Sequence, residues 1–177
     1  MRSMIITICL VFTGLTPFNE IYSIHITTIN GDDRALEDFR GKKILVVIVP
    51  VTKTADDSIF LRTIYNISTT YAETLSVIAV PSFEDGYDTA NTEDLKIYYN
   101  SLLGSNVTVT AGMNTRRVTP NQHPLFSWLT HKEENIHFDS DTEGVEESFF
   151  INEQGELYGT VSPNVGLTDR LLQRMMQ

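Results

Sequence analysis

The stretch ILVVIVPVTKTADDSIF, residues 44–60, joins an apolar run to a helical pattern through a short polar turn. The run at 44–51 is almost continuously apolar and rich in β-branched residues, which is typical of a strand buried on both faces. After the turn, Asp56 and Asp57 occupy a first helical turn, where the helix dipole favours acidic side chains. The stretch therefore predicts the strand, turn and helix of an α/β protein.

The alternation of strands and helices continues along the chain. Further strands are predicted at 24–30, 75–81 and 106–112, with a hairpin over 148–161. Further helices are predicted at 91–104, 123–132 and 164–177. Since Leu125 and Trp128 share one face of the helix at 123–132, we expect Trp128 to be buried against the sheet. The pattern predicts a three-layer α/β domain, a mixed central β-sheet flanked by helices.

The N-terminal segment has the features of a secretory signal peptide. It carries one early Arg, an apolar core from Met4 to about Gly14, and a small residue at Ser23. The apolar core is shorter than the roughly 20 residues that span a bilayer. The sequence predicts a signal peptide at 1–23, a domain at 24–177, and a periplasmic or extracellular location with no membrane attachment after cleavage. An uncleaved N-terminal anchor is the alternative.

Composition narrows the possible partners and chemistry. A chain of 177 residues with 41% hydrophobic content is expected to form one globular domain. The formal net charge of −10 disfavours nucleic acid and anionic membranes as partners, because both are negatively charged. Cys9 is the only cysteine and lies in the predicted signal peptide. The mature chain would therefore have no disulfide, thiolate or cysteine-based metal site, and we predict no cofactor.

Four segments resemble the glutathione peroxidase family in order and approximate spacing. They are NGDDRALEDFRGKKILVVIV, AVPSFEDG, HPLFSWL and SFFINEQGEL. The second is similar to the family's AFPCNQFG-like segment, the third to HPLYKFL, and the fourth to a KFLVDxxG hairpin. The resemblance spans nearly the whole predicted mature chain and implies a thioredoxin-like fold.

The family's functional positions carry different residues in this chain. The resemblance places the peroxidatic cysteine or selenocysteine at Thr54, directly after Lys53. The family's Gln falls on Glu84, and its Trp-Asn pair falls near Gly144 and Val145. Peroxide reduction needs an anionic sulfur or selenium with nearby N–H donors. A threonine hydroxyl is far too basic to supply that anion, so the turn is predicted to be a helix cap in which Thr54 or Asp56 accepts backbone N–H bonds.

These departures predict a pseudoenzyme, a non-catalytic binding or interaction module for an unknown protein or small molecule. Two enzymatic alternatives remain open. The first is an oxidoreductase related to peroxidases that acts in the oxidative stress response. The second is a hydrolase built from Thr54, Lys53 and Glu84.

A metal site has only weak candidates. In DSDTEGVEESFF, residues 139–150, the side chains of Asp139, Asp141 and Glu143 fall at positions one, three and five of a calcium loop. Position twelve is Phe150, where such a loop needs a bidentate acid. A solvated acidic loop is therefore the preferred interpretation, and the four histidines show no ligand spacing such as HxxxH.

Overall fold

The computed structural model describes residues 20–177, so Cys9 and most of the predicted signal peptide lie outside the described residues. The helices are α1 (Glu20–Ser23), α2 (Ala55–Thr70), α3 (Thr92–Leu103), α4 (Pro124–Thr130), α5 (Lys132–Asn135) and α6 (Asp169–Met175). The strands are β1 (His25–Thr27), β2 (Asp33–Ala35), β3 (Lys43–Val49), β4 (Leu75–Pro81), β5 (Val107–Val109), β6 (Ser148–Ile151) and β7 (Leu157–Val161). Short 3₁₀ helices span Leu36–Phe39 and Thr89–Asn91.

The predicted mixed sheet is confirmed. Its strand order is β5-β4-β3-β6-β7. Strands β3, β4 and β5 are parallel to one another, and β6 is antiparallel to both of its neighbours, β3 and β7. In the central register, Val47 of β3 lies opposite Ala79 of β4 and Ser148 of β6. The strand predicted at 24–30 is present as the shorter β1, which pairs with β2 across the following turn in a separate two-stranded sheet.

Strand β3 is buried along its whole length, which accounts for its continuous apolar sequence. Its side chains alternate between two cores, as the period of a strand requires. Leu45, Val47 and Val49 belong to the core that also contains residues of α2, α3 and α6. Ile44, Val46 and Ile48 belong to the core that also contains residues of α1 and α4. The sheet is thus the middle of three layers.

Helix α4 lies where the sequence predicts it. Trp128 is only 5% exposed and Leu125 is fully buried, so the expected burial of this face is confirmed. His123 caps the helix, since its Nδ1 accepts a hydrogen bond from the backbone N–H of Leu125 at 3.2 Å. Burial lowers the pKa of His123, which favours the neutral ring that this cap needs.

Helix α1, which falls inside the predicted signal peptide, packs against the core of the domain. Ile21 and Tyr22 in α1 are buried in the core that contains α4. The guanidinium of Arg40 lies 3.9 Å from the centre of the Tyr22 ring, and the Tyr22 hydroxyl donates to the carbonyl of Glu153 at 3.2 Å. A short apolar pair at the end of a signal-like segment carries no pattern that distinguishes it from that segment, so only its packing shows that it belongs to the domain.

None of the helices within residues 20–177 is long and apolar enough to cross a membrane.

Candidate functional site

The positions that match the family's site lie near the carboxyl ends of β3 and β4, and just before β6. Thr54 follows β3 at the start of α2, and Glu84 follows β4. Ligands of open α/β sheets bind outside the carboxyl ends of the strands, so this edge is the expected place for a site. Gly144 and Val145 precede β6, which pairs directly with β3.

Thr54 is the N-cap of α2, as predicted. Its hydroxyl oxygen accepts a hydrogen bond from the backbone N–H of Asp57 at 3.1 Å, and the Asp57 carboxylate accepts from the backbone N–H of Thr54 at 2.8 Å. This reciprocal pair is a capping box. Burial of Asp57 opposes its ionisation, but hydrogen bonds from Thr52 and Thr54 outweigh burial and hold the pKa of Asp57 below its usual value. The Thr54 side chain thus has a structural partner in the helix.

Lys53 points away from the capping box. Its Nζ pairs with the carboxylate of Asp94 on α3 and lies 5.7 Å from the centre of the Tyr98 ring. Its backbone has a φ of +60°, a conformation that is uncommon for a residue with a side chain. Lys53 therefore ties the turn to α3. Within the described residues no hydrogen bond joins any two of Thr54, Lys53 and Glu84, so the structure does not assemble the hydrolase alternative.

Glu84 anchors the segment between β5 and α4. Its carboxylate accepts hydrogen bonds from the backbone N–H groups of Thr115, at 3.0 Å, and Arg116, at 3.2 Å, and from the Thr119 hydroxyl at 2.6 Å. Burial alone would raise its pKa, but these hydrogen bonds stabilise the anion and lower the pKa of Glu84 to about 2. The Glu84 carboxylate thus stabilises the conformation of the segment between β5 and α4.

An ion pair lies beside Gly144. The Asp85 Oδ1 atom accepts from Arg116 Nη2 at 3.3 Å and lies 3.0 Å from where a Cβ on Gly144 would be. Gly144 also has a φ of +117°, which a residue with a side chain rarely adopts. A tryptophan at this position would need both a strained backbone and displacement of Asp85. Val145, the neighbouring position, packs partly buried against the core that contains α4.

Comparisons with known proteins identify the fold. No protein-family model matches the chain, and no curated protein matches its sequence. Among solved structures, Trgpx in its apo form is 16% identical with a TM-score of 0.64, covering 89% of this chain and 93% of that chain. T. cruzi GPX1 is 16% identical with a TM-score of 0.59, covering 89% and 97%. A thiol:disulfide interchange protein of the thioredoxin family from Chlorobium tepidum is 18% identical with a TM-score of 0.56, covering 90% and 97%.

The chain has a thioredoxin-like fold. The structural neighbours include both GPX proteins and thiol-disulfide proteins, so their common property is this fold. In the present thioredoxin-like domain, the edge that matches the family's site holds a capping box, an anchored carboxylate and an ion pair. The chemistry of the chain must therefore be argued from its own residues.

The acidic segment before β6 does not gather its carboxylates around one point. Asp139 pairs with Arg117, Asp141 accepts from the backbone N–H of Arg117 at 2.9 Å, and Glu143 accepts from the Ser162 hydroxyl at 2.6 Å. Within residues 20–177 no group of three or more His, Cys, Asp or Glu side chains lies close enough to hold a metal ion. The three calcium candidates are thus engaged with protein groups, Asp139 and Asp141 with Arg117 and Glu143 with Ser162.

Glu147 is a buried ionisable residue that the sequence analysis did not single out. Its side chain is buried at the start of β6, 6% exposed. Burial raises the pKa of its carboxyl to about 7, with Glu143 and Asp141 adding repulsion and hydrogen bonds from the backbone of Glu143 and Gly144 opposing the rise. The only available signal was its place directly before an apolar strand, where one side chain in two faces inward.

Proposed function

We propose that this chain is an exported relative of the glutathione peroxidases that has lost thiol peroxidase chemistry and acts as a non-catalytic binding module. The observation that carries the proposal is the capping box of α2. At the position of the family's nucleophile, the Thr54 hydroxyl accepts a backbone hydrogen bond at 3.1 Å and caps the helix. A hydroxyl in this role supplies no anion that attacks a peroxide.

The other matched positions support the same proposal. At the position of the family's neutral Gln, Glu84 is an anion with a pKa of about 2 that holds Thr115, Arg116 and Thr119. At the position of the family's Trp, Gly144 has no side chain, and the ion pair of Asp85 and Arg116 lies beside it. Donors that stabilise a leaving oxygen are therefore replaced by groups with structural partners.

Export is the second part of the proposal, and it rests on the signal-like pattern of the N-terminal segment. The burial of Ile21 and Tyr22 supports a cleavage point before Ile21, in place of the point near Ser23 that the sequence predicts. A mature chain beginning at Ile24 would lack two side chains of the core. The mass of the chain recovered from the exporting cell tests this position directly.

A peroxide-consumption assay tests the loss of chemistry. The chain starting at Glu20 is incubated with hydrogen peroxide and with glutathione or thioredoxin as reductant. We expect consumption no faster than that of a heat-denatured control. The Thr54→Ala variant is the matched control, since it removes the hydroxyl at the nucleophile position. Turnover well above the denatured control in the native chain would refute the non-catalytic proposal, and its loss in Thr54→Ala would assign it to this residue.

A further inference from the structure

A cavity of about 270 Å³ is lined by Glu143 and Glu147, the residues on either side of the segment 144–146. Most of its wall is apolar and comes from α4, the segment before β6, both strands of the hairpin, and α6: Leu129, Phe138, Phe149, Val161 and Leu171. Its polar part is lined by two carboxylates and three hydroxyls: Glu143, Glu147, Ser140, Thr160 and Ser162. We call it the Glu147 cavity. An apolar wall with a few polar groups is the usual composition of a small-molecule site, and the volume is near the lower end of the roughly 300–1,000 Å³ range of such sites.

The two carboxylates differ in their exposure. Glu147 is buried, and its Oε2 accepts a hydrogen bond from the backbone N–H of Glu143 at 2.6 Å. Glu143 is exposed, and its Oε2 accepts from the Ser162 hydroxyl at 2.6 Å. In the described part of the chain, none of the residues that line the cavity carries a positive charge. The polar part of the cavity is therefore an acid wall without a protein counter-ion.

A buried carboxylate without a counter-ion raises the free energy of the folded state, and a cation placed against it removes much of that increase. The apolar wall would take up a hydrocarbon body at the same time. We propose that the Glu147 cavity binds a small primary amine, with its ammonium group facing Glu147 and Glu143 and its apolar body against Phe138 and Phe149. This ligand class rests on the proposed role of the chain as a binding module.

A divalent metal ion fits the cavity less well than an amine. Calcium takes roughly six to eight oxygen ligands, and magnesium requires nearly octahedral oxygen coordination. The cavity offers two carboxylates that already accept hydrogen bonds and three hydroxyls, fewer strong oxygen ligands than either ion takes, and the side chains of Leu129, Phe149 and Val161 supply no ligand atoms. An ammonium group needs only a few acceptors, and its substituent gains from the same apolar wall.

The test is a two-dimensional NMR titration of the chain starting at Glu20, at pH 8, where Glu147 with its pKa near 7 is ionised. The ligands are benzylamine and benzyl alcohol, which share a ring and differ in charge. We expect benzylamine to shift the resonances of Phe138, Phe149 and Ser162 and to bind about tenfold more tightly than benzyl alcohol. Equal affinities, or no saturable shift with benzylamine, would overturn the proposal.

Three variants identify the acid involved. Glu147→Gln should weaken benzylamine binding about tenfold and leave benzyl alcohol binding unchanged. Glu146→Gln is the matched control, because Glu146 lines a different cavity with Asp56 and Leu167. Glu143→Gln changes an exposed side chain, so it keeps the proposal testable if Glu147→Gln fails to fold, and it should weaken benzylamine binding about threefold. Benzylamine affinity that is unchanged in both Glu147→Gln and Glu143→Gln would refute this site.

Two further outcomes separate this inference from others. If calcium chloride shifts the same resonances at lower concentration than benzylamine, the cavity is a cation site of another class and the amine proposal is wrong. The peroxide assay is independent of these titrations. Amine binding together with peroxide turnover would support the amine site and refute the non-catalytic role. If the chain shows neither amine binding nor turnover, the amine site is refuted and the non-catalytic role stands.

Discussion

At the scale of single residues, Thr54→Cys tests whether one substitution gives this turn the thiol chemistry of the glutathione peroxidases. We expect that Thr54→Cys in the chain starting at Glu20 shows no peroxidase activity. A thiolate at a helix N-terminus is stabilised by the dipole, but Asp56 and Asp57 occupy the same first turn and oppose it by a similar amount, on the order of 1 kcal/mol. The thiol should titrate near or above its unperturbed value of about 8.5.

The pH dependence of alkylation measures that titration, with Thr69→Cys in the exposed last turn of α2 as the control. The two thiols should alkylate with similar pH profiles, because neither is expected to be activated. A Thr54→Cys pKa below about 7, together with a peroxide rate far above that of free cysteine, would show that the site is still arranged for peroxidase chemistry.

Glu147 should make stability depend on pH. The folded state raises its carboxyl pKa from 4.5 to about 7, so folding favours the protonated form. Ionisation of Glu147 therefore leaves the free energy of unfolding unchanged well below pH 4.5. It lowers the free energy of unfolding as pH rises from about 4.5 to 7, and the loss persists at higher pH. The free energy of unfolding of the chain with Glu147, compared with that of Glu147→Gln, should fall by on the order of 2–3 kcal/mol between pH 4.5 and pH 8. Urea unfolding at pH 4.5, 6 and 8 measures this difference, and a constant offset at all three would contradict it.

At the scale of elements, the segment between β5 and α4 depends on Glu84. Glu84→Gln, which introduces the residue of the glutathione peroxidase pattern, should destabilise the chain by about 1–3 kcal/mol, because charged acceptors make stronger hydrogen bonds than neutral ones. The loss should be largest near neutral pH and disappear towards pH 2, since the low pKa of Glu84 gives stability that is lost as the carboxylate is protonated. Amide hydrogen exchange of Thr115 and Arg116 should increase in the variant. Unchanged exchange at both amides would show that Glu84 is not the anchor.

Helix α1 is the element that decides where the domain starts. A chain beginning at Ile24 lacks Ile21 and Tyr22, which are 1% and 2% exposed. We expect it to be less stable than the chain beginning at Glu20 by at least about 3 kcal/mol, from lost burial of two large side chains. The double variant Ile21→Ala, Tyr22→Ala in the longer chain should show a similar loss. Equal unfolding midpoints for the two chain lengths would place the start of the domain at Ile24 after all.

At the scale of the whole molecule, the alternation of apolar strands with helical patterns predicted the three layers and the mixed sheet. Strand β3 is buried on both faces, so its sequence is apolar at every position and easily recognised. The helix cap at Thr54 and the burial of Trp128 were also predicted, because both depend on neighbours in sequence or on one helical period. The sequence did not predict that β1 and β2 form a sheet separate from the main one, since a short strand does not specify its partner.

The sequence by itself determined the fold class, the absence of a cysteine from the turn between β3 and α2, and the capping of α2, because each depends on residue identity and local spacing. Only the tertiary structure decided which partners surround the charged groups near the carboxyl ends of β3 and β4. The carboxylate of Glu84 meets Thr115 and Thr119 more than thirty positions further along the chain. Glu147 shares its cavity with Leu129 of α4 and Leu171 of α6, which are distant from it in sequence. Long-range contacts set the surroundings of a charged group, and these surroundings fix its pKa and its possible ligands.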